Sequence, residues 1–187
     1  MKKNAFTLIE IMVAVAIFAV FSGAFVGFFI ASIQAQKKVL ASQALIDNVS
    51  FNLEYISRAI RMARKELSDP PICLSSRGLN YEKTQDGKGL KFINYDGICQ
   101  EFFWNDSDER LYESKRGETP IPLTSANLEI ISFQLGLDDS WGQEQEPPTQ
   151  PKVTLFLELK RKGQGQEPQP SISIQTTVSQ RNLNVRY

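Results

Sequence analysis

The sequence predicts an α+β fold: a long N-terminal helix followed by an antiparallel β domain. Three observations lead there. All nine prolines and nine of the eleven glycines lie beyond Asp69, and the first 69 residues hold only Gly23 and Gly27. A proline-free stretch of that length accommodates one unbroken helix, whereas the part rich in Pro and Gly reads as strands and turns. Within the first part, apolar residues run together and then thin to a stripe of helical period. In the second part they alternate, which is the period of a half-buried strand.

Composition narrows the function before any element is placed. The 187 residues carry 21 Lys plus Arg and 21 Asp plus Glu, so no overall basic surplus points to nucleic acid. Histidine is absent. That excludes a Ser-His-Asp triad, a Cys-His pair and an H-E-x-x-H zinc site. Two cysteines cannot supply a zinc site of four thiolates. Carboxylates, Lys and Ser remain, but no motif assembles them. A structural or binding role is expected, with no catalytic residues, no cofactor and no metal.

Phe6 to Ile33 is almost wholly apolar, with Glu10 as its only charge, and the next charge is Lys37. A bilayer core needs about 20 helical residues. The run exceeds that, and it exceeds the roughly 7–15 apolar residues of a cleaved secretory signal. Lys2 and Lys3 precede it, so the N-terminus stays in the cytoplasm and the remainder is exported across the cytoplasmic membrane. Hydropathy alone describes a simple signal anchor. A carboxylate inside an apolar span, however, costs up to roughly 2.5–3.5 kcal/mol at the bilayer centre and less near its edge. Glu10 therefore either snorkels to the interface or has a partner. Gly23-x-x-x-Gly27 has the small-residue spacing that allows close helix packing in membranes, although glycine is also simply common there.

Lys2-Lys3-Asn4-Ala5 followed by Phe6-Thr7-Leu8-Ile9-Glu10 resembles the processing site of type IV pilins and pseudopilins. In that family a short basic leader ends in a small residue, usually Gly, where this chain has Ala5. The resemblance implies cleavage by prepilin peptidase between Ala5 and Phe6, and N-methylation of Phe6. It implies that the Glu10 carboxylate pairs with the Phe6 amine of a neighbouring subunit. The expected partners are other pilin or pseudopilin subunits, prepilin peptidase, an inner-membrane assembly platform and the membrane itself. The organisation becomes leader 1–5, membrane and filament-core helix 6–33, amphipathic extension 34–69 and exported β-rich domain 70–187.

In the extension, Val49, Leu53, Ile56, Ile60, Ala63 and Leu67 step by four and three, one apolar stripe along a helix. Leu45 or Ile46 extends it backwards. Asp69-Pro70-Pro71 is expected to end the helix. Strand-like sequence follows at once, so the stripe is expected to pack on the chain's own sheet rather than in a coiled coil. Arg58, Arg61, Arg64 and Lys65 form a basic cluster near the helix end. Without interleaved aromatics it reads as a solvated or salt-bridged face, not as a nucleic-acid groove.

Leu90–Tyr95 and Ile98–Asn105 around Asp96-Gly97 read as a hairpin. A polar turn over Asn105–Glu109 leads to a strand near Leu111-Tyr112. Leu128–Leu137 alternates with a phase slip at Ile130-Ile131, which predicts a bulge. Val153 to Leu159 and Ile172 to Val178 alternate and fit an antiparallel pair. Gly163–Pro170 and Asp138–Pro151 are expected to be mobile. Asn105, Asp106, Asp108 and Glu109 lack the spacing of a calcium loop. Cys73 and Cys99 would bridge in an oxidising compartment, or else remain two buried thiols. Gln175-Thr176-Thr177-Val178-Ser179-Gln180-Arg181-Asn182 is similar to the C-terminal strand of J-type minor pseudopilins and W-type minor pilins. The resemblance implies a pilin-like fold and a minor structural subunit of a type IV pilus-like or type II secretion filament. The alternative is a single-pass, membrane-anchored exported binding module that does not polymerise.

Overall fold

The computed structural model describes residues 7–143, 149–162 and 171–181. The chain divides into two compact units, residues 1–43 and 44–187. Helix α1 (Leu8–Arg61) supplies the first unit and opens the second. In the first unit its apolar side chains are exposed; Phe18, Phe21, Phe25 and Phe28 show about 70% of their surface or more. No residue of its most apolar window is buried.

Among the described residues the second unit holds eight strands in two antiparallel sheets. Strands β1 (Tyr81–Thr84), β2 (Gly89–Ile93), β3 (Cys99–Asn105), β4 (Arg110–Lys115) and β5 (Ile121–Pro122) pair in sequence order. Strands β6 (Leu128–Leu135), β7 (Lys152–Arg161) and β8 (Ser171–Ser179) form the second sheet, with β7 central. The β2–β3 hairpin sits where the alternation put it, turning at Gly97, whose φ of 78° suits a residue without Cβ. The predicted bulge is present as a register shift in β6 between Ile130 and Ser132. Strand β5 is two residues long, and nothing in its composition marks it as a strand.

One core joins α1 to both sheets. Leu45, Val49, Ile56 and Ile60 of the helix stripe are buried with Tyr81, Phe92 and Phe102 of the first sheet and Val153, Leu155 and Leu159 of the second. Leu45 rather than Ile46 carries the stripe backwards, since Ile46 is half exposed.

The helix stops at Arg61, short of the expected Asp69-Pro70-Pro71. The last carbonyls of a helix lack intrahelical donors, and here β1 and the residues just after β8 supply donors at the helix end and in the turn that follows. The Tyr81 hydroxyl donates to Ile60 O at 2.9 Å, the Arg181 amide to Arg61 O at 2.7 Å and Gln180 Nε2 to Ala63 O at 2.7 Å. The Arg64 amide then donates to Ile93 O, which draws the chain alongside β2. Leu67 leaves the stripe and is 42% exposed.

Glu66 organises the turn that follows. Its carboxylate is fully buried and accepts the amides of Ser68 at 3.0 Å, Ile72 at 3.2 Å and Cys73 at 2.9 Å. Cys73 is joined to Cys99 at the start of β3 by a disulfide, with a Cα–Cα distance of 5.4 Å. Burial raises the Glu66 pKa, but the Cys73, Ser68 and Leu74 donors outweigh it, so the carboxyl lies below its ordinary value.

The expected mobility of Asp138–Pro151 is corrected over Asp138–Gln143. A short 3-10 turn over Asp138–Trp141 drives Trp141 fully into the core, edge-on to Tyr81 with centroids 6.0 Å apart. Gln143 then pins β1: its Oε1 accepts the Asn80 and Tyr81 amides and its Nε2 donates to Tyr81 O, each at 3.0 Å. Gly163–Pro170 lies outside the described residues.

Trp141→Ala is expected to cost about 3–5 kcal/mol, as for other buried aromatics, read from denaturant midpoints of the full chain in detergent. A loss within about 0.5 kcal/mol, the range of surface changes, would contradict the burial. A carboxylate held below its unfolded value stabilises the fold above that value, near pH 4.3, and the gain is lost as pH falls through the folded pKa. Glu66→Gln should therefore cost about 1–3 kcal/mol at pH 7, with the deficit shrinking as pH drops below about 4. A deficit constant from pH 3 to 7 would contradict this assignment.

Candidate processing and assembly segment

Ala5 and Phe6 lie outside the described residues. Thr7 immediately precedes α1. Thr7-Leu8-Ile9-Glu10 has the spacing of a helix N-terminal capping box. The amides of Glu10 and Ile11 donate to Thr7 O at 3.1 and 3.3 Å, opening the helix. Glu10 Oε2 reaches back and accepts both the Thr7 amide and the Thr7 hydroxyl, each at 2.9 Å. A carboxylate in the first turn also faces the positive end of the helix dipole. Within a single chain, then, Glu10 is held by local donors on an exposed helix surface. That arrangement fixes the carboxylate beside the point where the chain enters the helix. Its second oxygen takes no hydrogen bond among the described residues.

Gly23 and Gly27 lie four residues apart and therefore on one side of α1. A methyl group added at either would meet no other atom within 4 Å. The notch they form is open in the first unit, and Leu8, Ile9, Phe25 and Phe29 around this helix are well exposed. The segment offers a large apolar surface, one charge near its start and one small-residue notch.

The structure disperses the other sequence-level candidates. Because α1 ends at Arg61, the basic cluster does not share one helix face. Arg58 pairs with Glu54 at 3.1 Å on the exposed helix surface, and the Arg64 guanidinium lies 5.1 Å from the centre of the Tyr95 ring. In the polar turn, Asn105 Oδ1 accepts the Ser107 amide at 2.9 Å, Asp106 pairs with Lys88, and Asp108 accepts the Tyr112 hydroxyl. The Asp108 bond raises the Tyr112 pKa. These carboxylates are engaged by nearby side chains, Lys88 in the turn before β2 and Tyr112 on β4. Among the described residues no group of three or more acidic or Cys side chains has the geometry to hold a metal ion.

Sequence reasoning missed Glu66, Gln143 and Gln180. A usable signal existed for Gln180 alone. The inward positions of β8 are even-numbered, and Gln180 continues that parity; it is fully buried.

The prokaryotic N-terminal methylation motif matches residues 1–26. No curated protein and no solved structure matches the chain. The matched stretch includes the expected cleavage point, Glu10 and Gly23. It supports a type IV pilin-like family and implies a substrate of prepilin peptidase.

Proposed function

We propose that this chain is a minor structural subunit of a type IV pilus-like or type II secretion filament, cut before Phe6 and assembled through α1. One observation carries the reading. A methylation motif over residues 1–26 leads into a helix whose apolar surface is uncovered within its own unit. A helix apolar all round needs lipid or other helices about it.

The mechanism follows from the two environments. Before assembly the apolar stretch sits in the cytoplasmic membrane, with the basic leader inside and the β domain exported. Prepilin peptidase removes residues 1–5 and leaves an α-amine on Phe6, which is methylated. An assembly platform then lifts the subunit, and α1 exchanges lipid for neighbouring helices. Both surroundings are apolar, so packing and polar pairing decide whether the exchange is favourable.

Glu10 supplies the polar selection. In lipid or in isolation its charge is satisfied by Thr7. In a helix bundle of low dielectric, the nearby amine of an incoming Phe6 is the partner that offsets desolvation of both charges. A subunit out of register leaves the Phe6 amine without a carboxylate and Glu10 with only its Thr7 hydrogen bonds. The minor role rests on the likeness of Gln175–Asn182 to J-type and W-type minor subunits. Catalysis resides in the partners and not in this chain.

Glu10→Ala should insert into the membrane at the wild-type level yet fall at least tenfold in sheared filament fractions, measured by immunoblot against the other subunits. Wild-type incorporation of the variant would contradict the role given to Glu10.

A further inference from the structure

Five carboxylates lie on the described strands, and four of them are engaged within the fold. Glu82 accepts the Ser75 amide, Glu101 the Thr84 hydroxyl and Glu113 the Tyr55 hydroxyl, while Glu129 pairs with Lys160 at 2.6 Å. The fifth, Glu158 on β7, has no hydrogen bond or ion pair among the described residues. It is half-buried on the outer face of the second sheet. A carboxylate that is partly desolvated and unpaired carries a cost that an incoming cation offsets.

Phe156 stands on the same face two residues earlier, about 7 Å away along the strand, and it is 38% exposed. The strand register completes a grid around the two. Ser132 of β6 and Ser173 of β8 flank Glu158, and Gln134 and Gln175 flank Phe156. These six residues line a cleft of about 360 Å³, within the range of roughly 300–1,000 Å³ usual for ligand sites. Gln134 donates to the Ser132 hydroxyl at 3.2 Å, and its Oε1 accepts nothing among the described residues. Lys160 lies two residues beyond Glu158 on the same face, but Glu129 on β6 holds it.

The cleft thus offers one negative charge, an exposed aromatic ring and several oxygen acceptors. An anion is repelled there, and a neutral group leaves Glu158 unpaired. A cation complements the charge, and among cations a guanidinium fits best. Its planar fork reaches a carboxylate with two N–H groups while its face lies against a ring, whereas an ammonium is a compact, strongly hydrated point charge.

We propose that this cleft is the docking site for an arginine side chain presented by a partner protein. Glu158 takes the guanidinium fork, Phe156 lies against its plane, and the flanking hydroxyls and amide oxygens accept the remaining N–H groups. Arginine is enriched among the few residues that dominate interface energies, so one such anchor can orient a larger contact. The inference goes beyond filament assembly, because an anchored chain that never polymerises presents the same cleft.

The probe is a blocked Gly-Arg-Gly tripeptide, titrated by peptide-observed NMR into the full chain in non-ionic detergent. Binding of millimolar order is expected for a single anchored side chain. Citrulline in place of arginine keeps the shape and removes the charge, and should weaken binding about tenfold; Glu158→Gln should do the same. Phe156→Ala, and lysine in place of arginine, should each cost about threefold. Glu118→Gln, in the exposed turn after β4, should change nothing, and thermal midpoints should show that every variant folds. No binding at millimolar peptide would overturn the proposal, as would equal binding of arginine and citrulline or indifference to Glu158→Gln. Equal binding of lysine and arginine would overturn the assignment to a guanidinium.

Discussion

The apolar surface of α1 sets the problem that the rest of the chain answers. From Leu8 onward the helix buries nothing within its own unit, and only near Leu45 does its apolar character narrow to a stripe. The stripe is matched by two sheets, which close over Leu45, Val49, Ile56 and Ile60. The earlier stretch has no such cover, so its stability must come from lipid or from other helices. A fold that meets half of this requirement internally and leaves half to its surroundings suits a subunit that moves from membrane to filament.

The end of α1 links this helix to the exported domain. The Ile60 and Arg61 carbonyls of the helix accept from the Tyr81 hydroxyl of the first sheet and the Arg181 amide just after β8, and Gln180 takes Ala63 O in the turn beyond the helix. Each sheet thus holds the helix by a hydrogen bond as well as by apolar contact. Glu66 then folds the next turn around its carboxylate and sets Cys73 within reach of Cys99. The polar groups here act at the seam between elements, where an unpaired donor or acceptor costs more than a pair gains.

Much of this architecture was legible in the sequence because it depends on period. The stripe from Val49 to Ala63, the alternation of β7 and β8, and the slip in β6 are all local patterns that burial then enforces. The helix end was misplaced because Asp69-Pro70-Pro71 is a local stop signal, and long-range donors end the helix eight residues earlier. Trp141 was assigned to a mobile loop because its neighbours are acidic, Gln and Pro residues, while its anchoring depends on a ring contact with Tyr81, sixty residues away in sequence. At the candidate site, Phe6 to Glu10 were legible as a motif. The capping of Glu10 by Thr7 follows from the same Thr-x-x-Glu spacing, although it was not drawn from the sequence.

The account turns on whether the leader is removed. The most direct measurement is the mass of the N-terminal peptide of the mature chain, taken from native membranes by tryptic digestion and mass spectrometry. The account predicts a peptide that begins at N-methylated Phe6, despite Ala5 at the position usually held by Gly. An intact start at Met1 or Lys2 would contradict it and leave the chain as an anchored, exported binding module.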